Sequence, residues 1–168
     1  MFAILSLLLV ASLTASPTTA CTSSAVSPGA TDDGSSYVTY NADDHNQYGF
    51  MNYQQRMTHP PNSFRLIHDV DSRAYLGKIP EAPVTYNVVH LANEYGVSMG
   101  ESTFGGLDRL STPYPGSIMD YGSLMDVALQ RSTTARQAIE TMGQLVAAYG
   151  YASTGESFSV AELRWATL

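Results

Sequence analysis

The residue best suited to chemistry in this chain is Cys21, the only cysteine in 168 residues. A thiolate is the most nucleophilic of the common side chains, but near neutral pH a thiol needs a base to become one. The residues just before it suggest where a base could come from. Ser16-Pro17-Thr18-Thr19-Ala20 carries small side chains at Thr18 and Ala20, which approximates the A-x-A rule and places a signal cut between Ala20 and Cys21. Cleavage there makes Cys21 the first residue and frees an α-amine of pKa about 7.7–8.0, able to act as general base. N-terminal amines activate neighbouring nucleophiles in this way. The same cysteine is equally compatible with a plain structural thiol, because free cysteines usually behave as small buried hydrophobes.

The expected cut depends on what precedes it. Residues 2–10 (FAILSLLLV) form an uncharged apolar run, extended by Ala11, Ser12 and Leu13. That is too short for a bilayer span, which needs about 20 apolar residues, and it fits the apolar core of a secretory signal. The basic flank is missing, since Met1 and Phe2 carry only the α-amino charge. A lipoprotein site would also put cysteine first, but it prefers an aliphatic residue where Thr18 stands. The expectation is therefore a signal peptide over 1–20, a secreted chain, and no membrane attachment after processing.

Composition narrows the classes further. Eight basic against fifteen acidic residues give a net charge of −7. Nucleic-acid binding rests on clustered Lys and Arg, so it is not expected. Lys78 is the only lysine, which argues equally against an electrostatic membrane anchor. A single cysteine excludes an intramolecular disulfide framework and a multi-thiolate zinc site. Asp32, Asp33, Asp69 and Asp71 read as turn formers, because no EF-hand spacing surrounds them.

Several elements must position Cys21. Residues 22–26 and 35–41 read as two strands of a hairpin around the turn cluster 28–34, with Cys21 and Asn41-Ala42-Asp43-Asp44-His45 at its open end. Residues 48–61 show no period, end on Pro60-Pro61 and read as a loop. Short strands are expected at 63–68 and 74–79, on either side of Asp69-Val70-Asp71-Ser72. A β-branched run at 85–91 is expected to pair with 97–104 across a turn at 92–96, as a second hairpin. A helix is expected over 120–130. A second helix begins at a Thr134…Gln137 capping box, runs along Ala138, Ile139, Met142, Leu145, Val146 and Tyr149 as a core stripe, and stops at Gly150. Residues 157–161 can open a last strand. Strands, then helices, then a strand argue an α+β fold with helices packed on a largely antiparallel sheet.

The ordered motifs Cys21-Thr22, Gly29-Ala30-Thr31-Asp32-Asp33-Gly34-Ser35 and Thr39-Tyr40-Asn41-Ala42-Asp43-Asp44-His45 resemble the opening of the C69 family of cysteine dipeptidases. Leu76-Gly77-Lys78-Ile79-Pro80, Thr85-Tyr86-Asn87-Val88-Val89, Asn93-Glu94 and Gly100-Glu101-Ser102-Thr103-Phe104-Gly105-Gly106 continue the likeness. So do Met119-Asp120-Tyr121-Gly122-Ser123-Leu124, Thr134-Ala135-Arg136-Gln137-Ala138-Ile139 and residues 149–158. The resemblance runs from Cys21 to about Ala161. It implies an N-terminal nucleophile hydrolase with an αββα sandwich that cleaves dipeptides with broad side-chain tolerance and needs no metal or other cofactor.

Under that resemblance Cys21 matches the nucleophile and its freed amine the base. Asp43 matches an aspartate that, in the related bile-salt hydrolases and penicillin V acylases, hydrogen-bonds near that amine. Those relatives read Arg-Asn-x-Asp where this chain has Tyr40-Asn41-Ala42-Asp43, so a guanidinium contact to the thiolate is missing. Glu101 and Thr103 stand where the same relatives supply an oxyanion-hole side chain, an Asn there. Asn41 could orient substrate or simply end a strand. His45 could move protons or be a loop residue, and Asp44 reads as solvated charge. At Glu162-Leu163-Arg164-Trp165 the chain leaves the family pattern, short of the elements with which C69 members complete their second sheet. Residues 21–168 are therefore expected to be the N-terminal part of a dipeptidase domain, with an exposed sheet face. Two other readings stay open, an amidase acting on non-peptide amides and a secreted fragment without turnover.

Overall fold

The structure, a computed structural model, describes residues 21–43, 49, 51–104, 107, 109 and 113–162. The signal run, the motif residues Asp44, His45, Gly105 and Gly106, and the end from 163 onward lie outside the described residues.

The N-terminal hairpin forms as expected. Strand β1 (Thr22–Val26) pairs antiparallel with β2 (Tyr37–Asn41), Thr22 opposite Asn41 and Val26 opposite Tyr37. A 3-10 turn at Pro28–Ala30 and Gly34, at φ 72°, reverse the chain between them. That positive φ is where glycine costs least. Cys21 therefore stands at the open end.

Next come β3 (Tyr53–Gln54), β4 (Met57–Thr58), β5 (Phe64–His68), β6 (Tyr75–Pro80), β7 (Val84–Thr85), β8 (Val88–Val89), β9 (Ala92–Asn93) and β10 (Val97–Phe104). Helices α1 (Tyr121–Arg131) and α2 (Ala135–Tyr149) follow, and then β11 (Gly155–Glu162). The strands expected at 63–68 and 74–79 form as β5 and β6 and pair with each other, and Asp69 Oδ1 accepts from the Ser72 N–H and hydroxyl to tighten their turn.

Two local expectations fail. The segment read as a loop over 48–61 carries β3 and β4, which pair with β8 and β7. Strands this short show no alternation, so only their distant partners define them. The run 85–91 is not one strand either. The Tyr86 N–H turns away to Gln130 O at 2.9 Å, and Asn87 N and Nδ2 are taken by Glu94 at 3.1 and 3.0 Å. The expected partner of 97–104 is consequently wrong as well. β10 runs its full length against β11, from Val97 opposite Glu162 to Phe104 opposite Gly155, and meets β9 only at Ser98 opposite Ala92. The sheet order is β11-β10-β9-β8-β3.

β10 alternates its faces in the way a strand must. Val97 and Met99 join the buried cluster of Leu124, Val127, Ala128, Met142 and Leu145 from the helices. On the opposite face, a Cβ at Gly100 would stand 3.0 Å from Val38 Cγ1 and 3.2 Å from Thr39 O. The missing side chain lets the hairpin close on the sheet, and Ser23 Oγ hydrogen-bonds Ser159 Oγ across the same face at 3.1 Å. Helices, five-stranded sheet and hairpin thus stack in that order. This is a mixed α/β chain with antiparallel sheets, compatible with the expected α+β class.

The helix boundaries follow their caps. Asp120, fully buried, accepts from Ser123 N and from Val70 N, starting α1 and tying it to the β5–β6 turn. Thr134 accepts from Gln137 N at 3.2 Å, while Gln137 Oε1 reaches one residue further back, to Thr133 N. Gly150, at φ 69°, ends α2 with its N–H on Val146 O. Ile139, expected in the core stripe, is 57% exposed instead, because Ala138, Met142 and Leu145 take the inward face. Among the described residues no helix is long and apolar enough to cross a membrane.

Candidate active site

The hairpin register and the hairpin's packing against β10 put Cys21, Tyr40 and Glu101 together, although 80 residues separate the first from the last. The half-buried Cys21 thiol donates to Glu101 Oε1 at 3.2 Å, and the Tyr40 hydroxyl lies 3.8 Å from the sulfur. Tyr40 also donates a short hydrogen bond to the same Glu101 oxygen. Ser102 Oγ donates to the Cys21 carbonyl at 2.7 Å, so β10 holds both the side chain and the backbone of Cys21.

Electrostatics keep this thiol protonated. Burial raises the Cys21 pKa first, and acceptance of its proton by Glu101 raises it further. The Tyr40 hydroxyl and a backbone hydrogen bond from Thr103 act in the opposite direction, and they do not prevail. A base is therefore required before the sulfur can attack. The Tyr40 hydroxyl is likewise pushed above its ordinary range, by burial and then by Glu101.

A second carboxyl stands behind the first. Glu156 on β11 sits opposite Thr103, whose hydroxyl donates to Glu156 Oε2 at 3.1 Å. Burial, then a hydrogen bond with Glu101 and the charge of Glu101, push Glu156 up to about 8. Two carboxyls this close favour holding one proton between them. Glu101 Oε2 and Glu156 Oε1 are both buried, and apart from the hydrogen bond between the two carboxyls no donor reaches them among the described residues.

The raised Glu156 predicts a pH dependence of stability. The folded state binds its proton more tightly than the unfolded chain, whose carboxyl titrates near 4.3. Between that value and about 8 the folded form holds more protons, so stability falls as pH rises through the window. Glu156→Gln removes the titration. Urea midpoints of the parent should drop between pH 5 and pH 8.5, and those of the variant should drop measurably less.

The other sequence-derived candidates are distributed unevenly. Asp43 and Asn41 come together, but around the next residue along: Asp43 accepts from the Thr22 hydroxyl at 2.6 Å and, by a short bond, from Asn41 Nδ2. This exposed group sits at the open end of the hairpin beside Cys21. Of the two expected oxyanion residues, Glu101 is bonded to the thiol itself. The Thr103 hydroxyl is committed to Glu156, and it is the Thr103 backbone that faces the sulfur. Sequence reasoning missed Tyr40, Ser102 and Glu156 as site residues. Tyr40 carried a signal, standing where the acyl-amide relatives have arginine; Glu156 carried none until β10 and β11 were paired. An open groove of about 490 Å³ lies elsewhere, lined by Val26, Tyr37, Ala135 and Val160 near the closed end of the hairpin.

A family model described as Peptidase family C69 matches residues 20–165. Comparison with curated proteins finds no match to the chain.

Proposed function

The chain belongs to peptidase family C69, and from that premise we propose that it is a secreted dipeptidase whose nucleophile is Cys21, made N-terminal by removal of residues 1–20. The observation that carries this reading is the hold of β10 on Cys21. Its thiol is hydrogen-bonded to Glu101 and its carbonyl to Ser102, at the open end of the hairpin. The family match also begins at Ala20, one residue before the expected first residue of the mature chain. The helix–sheet–hairpin order supports the reading to the extent of one helical layer and the sheet packed on it.

The chemistry then runs on few groups. The freed α-amine of Cys21 takes the thiol proton, which the raised pKa of the thiol makes necessary. The thiolate adds to the scissile carbonyl, and the backbone of Thr103, already facing the sulfur, is placed to donate to the oxyanion. The amine returns the proton to the departing nitrogen, one amino acid leaves, and a thioester remains on Cys21. Water, deprotonated by the same amine, hydrolyses the thioester and releases the second amino acid.

Intact-mass analysis of the protein secreted from a host expressing the full chain tests the reading. It should show Cys21 as the first residue, in a product that hydrolyses unblocked dipeptides. An active product that retains residues before Cys21 rules out the amine as base. Activity confined to non-peptide acyl-amides rules out the substrate class.

A further inference from the structure

We propose that Glu101, backed by Glu156, is the subsite for the α-ammonium group of the substrate, so that the enzyme takes dipeptides with a free N-terminus and refuses N-blocked ones. The inference rests on the reading of Cys21 as a dipeptidase nucleophile.

Distance carries the first part of the argument. In a dipeptide the ammonium nitrogen is two bonds from the scissile carbonyl carbon, about 2.5 Å from it. When that carbon sits against Cys21 Sγ, the nitrogen falls within reach of Glu101 Oε1, which lies 3.2 Å from the sulfur. Once the thiol has given its proton to the α-amine, Oε1 has lost one donor and can accept an N–H from the substrate.

Charge carries the second. Glu101 is 1% exposed, and buried carboxylates ordinarily have a cationic partner or a full set of donors. Its donors here are a thiol, a phenol and the carboxyl of Glu156, all neutral. The ion pairs among the described residues join Arg56 to Glu94, Arg65 to Asp126 and Arg131 to Glu81, all away from this site. Glu101 and Glu156 share a hydrogen bond with each other, and no ion pair among the described residues supplies this buried carboxyl pair with a cation. The set lacks a cation carrying several N–H donors, and an ammonium group is one.

The same arrangement explains why a nucleophile sits beside a carboxylate that opposes its ionisation. Without substrate, Glu101 helps keep the thiol protonated and unreactive. An ammonium on Glu101 neutralises that opposition when the scissile carbonyl arrives, so the cation that is recognised also favours the thiolate.

The test compares an unblocked dipeptide, its N-acetyl form and its des-amino analogue on the protein processed from the full chain. The parent should prefer the unblocked form by about a hundredfold in kcat/KM, the order of a charged hydrogen-bonded contact. In Glu101→Gln the ratio of unblocked to blocked should collapse towards unity. If that variant does not fold by circular dichroism, Glu156→Gln carries the test through a several-fold fall in the same ratio. A parent that cleaves blocked and unblocked forms alike, or a folded variant that keeps the full ratio, overturns the subsite. A measurement without turnover separates the two readings: protection of Cys21 from iodoacetamide by unblocked against N-acetyl dipeptide. Selective protection without hydrolysis sinks the dipeptidase reading and supports the subsite. Hydrolysis without selectivity does the reverse.

Discussion

On the proposed function, replacing Cys21 with alanine should lower kcat/KM for dipeptides by at least about 10⁴-fold and change the stability of the protein by less than about 1 kcal/mol. The two effects separate because of where the thiol sits. It is half-buried, and the contacts of its sulfur are to Glu101 and Tyr40. Removing it leaves Glu101 with the Tyr40 hydroxyl still donating, so the loss to the fold is small. The loss to chemistry is nearly complete, since Tyr40, Ser102 and the Thr103 backbone can orient a substrate but cannot form the thioester. Cys21→Ser is expected to fall almost as far, because the same amine must then deprotonate a much weaker acid. Steady-state kinetics with a dipeptide, paired with urea denaturation, check both halves. A serine or alanine variant retaining a tenth of parental activity would exclude the thiol as nucleophile.

Asn93→Ala should cost about 3–5 kcal/mol of folding stability, the largest single loss expected from a polar side chain in this structure. Asn93 is 7% exposed and uses its whole amide. Nδ2 donates to Leu129 O at 2.8 Å and to Ser132 O at 2.7 Å. Oδ1 accepts from Tyr95 N and Val97 N, both at 3.0 Å. Leu129 is among the last residues of α1, where carbonyls have no partner within the helix, so one side chain closes a helix end and a turn together. Alanine leaves four backbone groups in the interior without it, at about 1–3 kcal/mol each before relaxation. Asn93→Asp is expected to be no better, because it sets a carboxylate oxygen against two carbonyl oxygens. The urea midpoint is the readout, and a shift equivalent to less than about 1 kcal/mol would show that water or backbone movement replaces the clamp. The variant should also impair hydrolysis, since Val97 begins the strand that carries Glu101.

These two residues differ in how visible they were beforehand. Cys21 announced itself through its place after an apolar run and two small residues, a property of the chain in one dimension. Asn93 read as part of a turn and of a family motif, with no hint of its structural weight, because that comes from carbonyls 36 and 39 residues further on. The hairpin that carries Cys21, the β5–β6 pair and both helices were legible, since a turn glycine, strand alternation or an Asp or Thr cap encodes each of them locally. The short strands β3, β4, β7 and β8 were not, because two residues give no period to read.

The active-site group divides along the same line. The order of residues alone told of a single thiol, of the place where signal processing is expected to expose it, and of Asp43 and Asn41 arriving at the same hairpin end. Glu101 was flagged by its place in a family motif as an oxyanion residue, not as the acceptor of the thiol proton. The pairing of β10 with β11, and its position across the hairpin, came into view with the packed sheets. That placement sets Glu101 against Cys21 and Tyr40, and Glu156 against Glu101. The physical reason is that a carboxyl pair has no signature along the chain: its coupling depends on burial and on separations of a few ångströms between strands more than 50 residues apart, and neither exists until the sheets have packed.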